Sequence, residues 1–506
     1  MTAVLAPGEP GWQRLNPWML AVTPLRQLAG LLPVIAVVVV IGIGQDVGGR
    51  IYSVLAGVLV VLFTGMLRWF TTRYRITSER VELRTGVVFR STRSVARDRI
   101  RSVEVTAGPI HRLFKLSVVK IGTGERAEGR EARELTLDAI SATEADRVRQ
   151  RLLHPLDAGG PDRSCAPAAA ELATLSWSWL RFAPLTVSSL VALVAVAGAA
   201  GQLINDVGAN AVDVGGVREK LTMAPLWVGI AAFAVLVLVI ALGGSILIFI
   251  EAWWGFTLVR ELGGTLRIRR GLFTTRSVSL EERRLRGVEV VEPPLLRFGR
   301  GARTIAVATG LGGRRGHGRG TLLPPAPRSV AHRVSGAVLA EDPSPTATTL
   351  RRHPLVALRR RLVRATVPVL VASAALWLAP VPAWVAWALL GLLPGAVLLA
   401  LDAYRNLGHA VTSHYLVTRH GAGVRATVAL QRAGVIGWTV SQSLLQRRTG
   451  LVTVTATTAA GNGGYSIIDV GTAEGLAVAE QAVPGLLEPF VQQDVSGVTH
   501  PLGSTA

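Results

Sequence analysis

The sequence predicts a polytopic α-helical membrane protein in which six transmembrane helices, paired as three hairpins, alternate with three cytoplasmic β-barrel or sandwich domains. Each domain is expected to be closed by a C-terminal helix. Three observations predict this fold class. Half of the 506 residues are apolar, and they are gathered into long uncharged runs. Polar segments that resemble one another follow these runs. Most of the net charge of +21 lies in the polar segments.

The uncharged runs have the length and the pairing of membrane-spanning hairpins. A helix needs about 17–25 apolar residues to cross a bilayer, and each run is near or above this length. Buried helices of a large soluble protein normally keep a charged stripe, and these runs keep none. Most of the 12 tryptophans lie in or beside the runs, as in an interfacial aromatic belt. The runs cover residues 28–44, 51–67, 182–204, 224–250, 365–379 and 382–401.

The distribution of cations predicts the orientation in the membrane. The three hairpin loops contain few of the 54 basic residues, so the positive-inside rule places both termini and the polar segments in the cytoplasm, at the inner membrane. The first run begins after residue 27 without a compact basic region, which argues against a cleaved signal peptide. The single cysteine, Cys165, excludes an intramolecular disulfide and predicts a reducing compartment.

The polar segments read as three copies of one unit. In the first copy, alternating apolar residues on both sides of Gly86 predict a hairpin, and further strands are predicted at 100–105, 116–121 and 134–138. Ser141 to Glu144 matches a capping box that opens a helix over 145–153. Two sets of residues align without gaps at offsets of 185 and 150 residues and are predicted to have structural roles at equivalent turns: Gly86, Gly271 and Gly421, and Arg112, Arg297 and Arg447.

These assignments divide the chain into ten segments. The predicted segments are an N-terminal cytoplasmic segment (1–27), three hairpins (28–69, 180–251 and 365–402), three β domains (70–153, 252–341 and 403–494), a linker (154–179), a polybasic linker (342–364) and a disordered tail (495–506).

Two kinds of motif in this sequence resemble a known family. The segment Tyr74–Gly86, followed by Asp98–Val103 and the turn Pro109–Leu113, resembles the bacterial pleckstrin-homology (PH) domain of YdbS/YdbT-type membrane proteins. The motifs before the first and third hairpins, Arg14–Trp18 and Arg352–Val356, resemble the same type. The resemblance covers essentially the whole chain. It implies a PH-like barrel for each polar segment and carries no settled biochemical activity.

No catalytic or cofactor motif is found in the sequence. It contains no His-Glu-x-x-His helix and no Gly-x-Ser-x-Gly elbow, and none of its three lysines is followed by Ser or Thr, which excludes a phosphate-binding P-loop. His409, His414 and His420 lack acidic or cysteine companions and are interpreted as solvated or core histidines. The glycine-rich segment 310–320 is interpreted as a flexible basic hairpin tip. We therefore expect no enzyme, no cofactor and no metal.

The strongest electrostatic feature precedes the fifth run. Six arginines and no acidic residue lie between positions 351 and 364. Each cation near an anionic leaflet contributes about 1 kcal/mol, so the stretch could hold lipid, although the same charges equally fit a role in topology alone. The candidate lipid-binding residues are Arg351, Arg352, Arg359, Arg360, Arg361 and Arg364.

The sequence thus predicts a non-catalytic membrane scaffold. Its cytoplasmic PH-like domains are expected to bind anionic phospholipid headgroups or a protein partner, for which a related PH-like membrane protein is a candidate, with envelope stress or antimicrobial resistance as a setting. The alternative is an exporter of a small molecule or peptide, although transporters usually carry ionisable residues within their helices. An enzyme would need convergent titratable groups in a domain cleft. Nucleic acid is not an expected partner because the charge is tethered at the membrane.

Overall fold

A computed structural model describes most of the polar segments and the second half of the chain. The described residues are 12–20, 69–77, 79–86, 90–122, 135–153, 170–186, 226–310, 320–487, 491–493 and 499–501, with isolated helical positions between 22 and 67 and at 194 and 198. The chain divides into two compact units, one formed by residues 1–174 and 254–284 and the other by residues 175–253 and 285–506.

The first unit contains two antiparallel sheets. One has four strands in the order β1-β2-β3-β4, and the other has seven in the order β7-β6-β5-β11-β10-β9-β8. The strands are β1 (Gln13–Arg14), β2 (Arg73–Ile76), β3 (Arg80–Thr85), β4 (Ser91–Ala96), β5 (Ser102–Ala107), β6 (Leu116–Gly122), β7 (Leu135–Ser141), β8 (Ala170–Thr174), β9 (Thr257–Glu261), β10 (Thr265–Arg270) and β11 (Thr275–Glu281).

Two helices accompany these sheets, α1 (Pro109–Leu113) and α2 (Ala142–Leu153). Ala145, Val148 and Leu152 recur at helical spacing along α2 and are buried in the core of the unit. The backbone N–H of Glu144 donates to the hydroxyl of Ser141 at 3.2 Å, so the predicted cap does start this helix.

The second unit contains a six-stranded antiparallel sheet in the order β14-β13-β12-β17-β16-β15 and a three-stranded sheet in the order β18-β19-β20. The strands are β12 (Leu285–Glu292), β13 (Gly301–Ala308), β14 (Thr321–Pro327), β15 (Gly408–Val411), β16 (Tyr415–His420), β17 (Arg425–Gln431), β18 (Gly437–Ser441), β19 (Leu451–Thr457) and β20 (Gly464–Gly471). The helices are α3 (Leu226–Trp253), α4 (Pro294–Phe298), α5 (Arg328–Leu339), α6 (Leu355–Leu378), α7 (Ala383–Leu390), α8 (Leu393–Arg405), α9 (Leu444–Arg447) and α10 (Thr472–Ala482).

A last strand pair lies near the C-terminus. Strands β21 (Val491–Gln493) and β22 (Thr499–Pro501) pair antiparallel. Part of the segment predicted to be a disordered tail therefore has strand structure.

Among the described residues, three helical stretches are long and apolar enough to cross a membrane: Ala231–Trp253 within α3, Leu355–Leu378 (α6) and Ala383–Arg405, which α7 and α8 form together. They correspond to the fourth, fifth and sixth runs of the sequence. The first two runs and all but the start of the third lie largely outside the described residues, apart from isolated helical positions. The described part of the chain therefore supports three membrane helices, and the total of six stays a prediction.

The fifth run differs from the expectation at its start. Its helix α6 begins at Leu355, ten residues before the predicted position 365. Because arginine is a good helix former, the arginine-rich residues before position 365 belong to the first turns of this helix and not to a linker. Arg359, Arg360, Arg361 and Arg364 thus lie on the first turns of a candidate membrane helix.

The sheets cross the boundaries between the sequence copies. Strand β11 of the second copy pairs with β5 of the first copy, and β17 of the third copy pairs with β12 of the second copy. We call these two pairings the joints. They share one register: Val278 faces Glu104 at the first joint, and the residues at the repeat offsets, Val428 and Glu289, face each other at the second. Each copy thus contributes strands to two different sheets.

The three aligned glycines share one backbone conformation. Gly86, Gly271 and Gly421 have φ values of 110°, 107° and 125°. This region is strained for residues with a Cβ atom. A Cβ at Gly271 would lie 2.0 Å from the carbonyl oxygen of Thr274, which leaves no room for a side chain in this turn.

Candidate anion-binding site

A cavity of about 420 Å³ in the second unit is lined mainly by arginines. Five segments form its wall: the 3₁₀-helix Trp177–Leu185, the end of β12, α4 and the residues after it, the start of α5, and the start of β17. The lining residues are Arg181, Glu292, Arg297, Arg300, Pro327, Arg328, Ser329 and Arg425.

The single carboxylate in the wall is already neutralised. Glu292 is almost fully buried, and Arg425 donates to both of its oxygens, with Nε at 3.0 Å from Oε1. The Nε atom of Arg328 lies 3.7 Å from the same carboxylate. Bidentate arginine–carboxylate pairs of this kind are among the strongest charge-assisted contacts in proteins. Glu292 therefore has no capacity left to balance the other cations.

Positive charge remains in excess after this pairing. Arg297 Nη1 lies 2.6 Å from Oδ1 of Asp402. Among the described residues, Arg181 and Arg300 have no carboxylate partner, and the guanidinium of Arg181 lies 4.8 Å from the ring centroid of Phe182. The cavity thus presents two arginines that no described acidic group neutralises.

Two neighbouring features add to the positive potential. Burial, followed by the charges of Arg425 and Arg328, lowers the pKa of Arg419, and its buried Nε has no hydrogen-bond partner among the described groups. Helix α5 begins at Arg328, whose backbone N–H donates to the carbonyl of Arg300, and Ser329 in its first turn lines the cavity. Helix N-termini and arginines both favour anions. The arrangement is suited to a phosphate or similar oxyanion.

The polybasic stretch before the fifth helix is divided by the structure into two groups. Arg351, Arg352, Arg359 and Arg364 are exposed. Arg360 and Arg361 are largely buried and contact the carboxylate of Asp469, in the case of Arg361 through Nε at 3.0 Å from Oδ2. The four exposed residues remain candidates for lipid contact, and the other two hold α6 against β20.

Asp469 is the centre of a buried polar cluster. It is fully buried, and Gln446 Nε2 donates to its Oδ1 at 2.9 Å. Its backbone carbonyl accepts from Nδ1 of His353 at 3.1 Å. A carboxylate at this position compensates the arginines of the membrane helix inside the protein, where an unpaired charge would be costly.

The histidines are grouped differently from the sequence expectation. His409 lies next to His353, with Nδ1 of His409 3.0 Å from Nε2 of His353. Burial lowers the pKa of each to about 4, so both are neutral near pH 7. His414 contacts Glu341 at 2.8 Å. No group of three potential metal ligands occurs among the residues that the structure describes.

The aligned arginines reach from one copy into the next. Arg112 donates to the carbonyl of Leu272, in the β10–β11 turn of the second copy. Arg297 pairs with Asp402, which in turn accepts from the N–H of Gly423 in the third copy at 2.9 Å. Arg447 is exposed, and its side chain forms no hydrogen bond or ion pair with the described residues. Two of the three arginines thus link neighbouring copies.

Sequence reasoning missed the cavity because its arginines are dispersed. They come from segments between residues 181 and 425 and never form a local cluster. The only local signal was the occurrence of Arg297, Arg300 and Arg328 near short turns of the second copy. Such isolated arginines look like ordinary solvated charges until the sheet brings them together.

Comparison with known proteins places these features in a family. The model of the bacterial PH domain matches residues 24–156 and 366–481. The chain is therefore a membrane protein that carries bacterial PH domains. It is 31% identical over 104 residues to the UPF0699 transmembrane protein YdbT of Bacillus subtilis (strain 168), and it belongs with the YdbS/YdbT type. The matched segment spans 20% of each of the two chains. No solved structure matches the chain.

Proposed function

We propose that this protein is a non-catalytic scaffold of the inner membrane with six membrane helices, cytoplasmic termini and three cytoplasmic PH-like domains that bind anionic phospholipid headgroups. The observation that carries the proposal is the cavity lined by Arg181, Arg297, Arg300, Arg328 and Arg425. A lipid phosphate supplies the negative charge that the wall lacks, and charge-assisted hydrogen bonds to arginine favour phosphate oxygens.

The position of the cavity suits a lipid headgroup. Arg297 in its wall contacts Asp402, which lies three residues before the end of the candidate membrane helix Ala383–Arg405. Headgroups occupy the layer just beyond the end of such helices. A phosphate bound beside Arg300 would therefore stay attached to acyl chains in the adjacent leaflet.

The exposed arginines at the start of α6 support the same proposal. Arg351, Arg352, Arg359 and Arg364 carry four positive charges at one end of a second candidate membrane helix. At about 1 kcal/mol for each cation near an anionic leaflet, they contribute roughly 4 kcal/mol of general attraction. In this proposal they enrich anionic lipid near the protein, and the cavity selects the headgroup.

The test uses the full chain in nanodiscs of phosphatidylcholine. Dihexanoyl phosphatidylglycerol, dihexanoyl phosphatidylcholine and inorganic phosphate are titrated separately, and heats of binding are measured. We expect binding of phosphatidylglycerol, and the variant Arg181→Gln/Arg300→Gln should bind it roughly 100- to 10,000-fold more weakly, since two hydrogen bonds to charged groups at about 1.5–3 kcal/mol each contribute about 3–6 kcal/mol.

The matched control removes two exposed arginines from β10 and β11, as Arg269→Gln/Arg276→Gln, and should bind like the unchanged protein. Equal affinity for phosphatidylglycerol and phosphatidylcholine, or an unchanged affinity of the cavity variant, would contradict the headgroup site. Binding of inorganic phosphate as tight as that of the lipid would assign the cavity to a free anion instead.

A further inference from the structure

The four-stranded sheet and the three-stranded sheet each end in an edge strand. The counterparts of these two strands in the other copies are paired with a neighbouring copy at a joint. Strand β4 is the outer strand of the four-stranded sheet, and β18 is the outer strand of the three-stranded sheet. The counterparts of β4 in the other copies are β11 and β17, and each pairs with the preceding copy. The counterparts of β18 are β5 and β12, and each pairs with the following copy.

Both joints follow a pairing rule that can be continued. Val105 faces Ser277 at the first joint, and Val290 faces Thr427 at the second. A valine thus meets a small hydroxyl residue in both cases. The next valine at the repeat offset is Val440 in β18, and the hydroxyl residue at the corresponding position of the first copy is Thr92 in β4. The same register would pair β18 with β4 over their full length, with Ser441 opposite Ser91.

The two outer strands are exposed where their counterparts are covered. Val440 is 39% exposed, whereas Val290 at the equivalent position of the second joint is fully buried. Ile436 and Leu444, which flank β18, are also exposed apolar residues. Thr92 is exposed on β4. An exposed edge strand with apolar side chains is a template for pairing with another chain.

Arg447 gives an independent reason for the same contact. Its counterpart Arg112 contacts Leu272 in the following copy, and Arg297 contacts Asp402 near the end of the helix that leads into the following copy. Arg447 lies in the third copy, and its side chain is exposed. It retains the residue type that the first two copies use for contact with the copy after them.

We propose that β18 of one molecule pairs antiparallel with β4 of a second copy of this chain, so that Val440 faces Thr92 and Arg447 contacts the same second copy. The contact is head-to-tail and repeats the geometry of the two joints. Each dimer still has one free β4 and one free β18, so assembly continues into a row or closes into a ring. Two copies in one membrane have the same orientation, as this contact requires.

The test is disulfide crosslinking between two differently tagged chains. One carries Thr92→Cys, the other carries Val440→Cys, and both carry Cys165→Ser. Facing residues of antiparallel strands have Cα atoms about 4.5–5.5 Å apart, within the range of about 4.4–6.8 Å that disulfides span. Oxidation in native membranes is expected to give a mixed dimer only when both chains are co-expressed. Adding Arg447→Glu to the second chain should reduce the yield several-fold.

Two controls make each outcome decisive. Val290→Cys/Thr427→Cys within one chain tests oxidation at the equivalent pair of the second joint. Thr439→Cys in place of Val440→Cys points the thiol to the opposite face of β18 and should crosslink weakly. The proposal is overturned if the internal pair forms and the mixed dimer does not, if Thr439→Cys crosslinks equally well, or if Thr92→Cys chains crosslink mainly to each other.

Discussion

The replacement of Asp469 by asparagine tests the buried cluster that holds the membrane helix α6 to the third-copy sheet. Asp469 is fully buried and contacts Arg360 and Arg361, whose side chains are 9% and 16% exposed. Asparagine keeps the shape and an oxygen for Gln446 but removes the negative charge. Asp469 has a φ of 60°, a conformation that asparagine also tolerates, so the backbone is not perturbed.

The expected cost follows from the two arginines left without a counter-charge. Breaking a buried ion pair by removing one partner costs about 3–5 kcal/mol, and the partial exposure of Arg361 favours the lower end, about 3 kcal/mol. For domains of 150–250 residues this corresponds to a fall of roughly 6–12 °C in Tm. The assay is thermal unfolding of the full chain in detergent, followed by tryptophan emission.

Two further variants test whether the loss of stability comes from the missing negative charge of Asp469. Asp469→Asn combined with Arg360→Gln and Arg361→Gln should recover at least about 1 kcal/mol, because no buried cation is then left unpaired. Asp146→Asn, at a carboxylate 58% exposed and 3.8 Å from Arg149, should change the free energy of unfolding by less than about 0.5 kcal/mol. The reasoning is refuted if Asp469→Asn melts within 2 °C (about 0.5 kcal/mol) of the unchanged protein, or if the triple variant is no more stable than Asp469→Asn.

Three further predictions concern pH, a turn and the topology. The pKa of both His353 and His409 is about 4 in the folded protein against an ordinary 6.5, so the folded state binds fewer protons between these values. The free energy of unfolding should be at its full value above pH 6.5 and should fall as the pH drops toward 4, by about 3 kcal/mol per histidine. Measuring Tm across a pH series checks this, and a Tm that does not change with pH would contradict it. Gly271→Ala should cost about 1–3 kcal/mol because of its positive φ, whereas Gly437→Ala, with no atom within 4 Å of the new Cβ, should be nearly neutral in the same assay. Cys165 should react with a membrane-impermeant thiol reagent only after cells are permeabilised, and labelling of intact cells would reverse the proposed topology.

Features set by a few adjacent residues were predictable from the sequence. The positive φ shared by Gly86, Gly271 and Gly421 follows from a turn that only glycine fits, and repetition of the turn at fixed offsets made it visible. The helix α2 could be predicted from its cap and its apolar spacing. The membrane character and the family were recognised from uncharged runs and from short motifs, and the comparisons confirm both.

Features that depend on distant residues were not predictable. The start of α6 was placed ten residues too late because its arginines look like a linker, whereas Asp469, more than a hundred residues away, compensates two of them. The arginine-lined cavity requires β12, β17 and the start of α5 to come together. The residues next to Arg181 and Arg300 in the sequence do not distinguish them from solvated arginines. Only the folded structure shows that both line the same cavity.

Because the two joints share one register, whole repeats could be added or removed without changing how the strands pair. Removal of one whole repeat period would bring β5 against β17, with Val105 facing Thr427, again a valine against a small hydroxyl residue. A break inside a period would instead leave a half-sheet with an exposed edge, which promotes aggregation. We therefore expect the fold to tolerate the gain or loss of whole repeat periods, as solenoid proteins gain and lose repeats. The register of strand pairing at the joints, more than the number of copies, is what the fold requires.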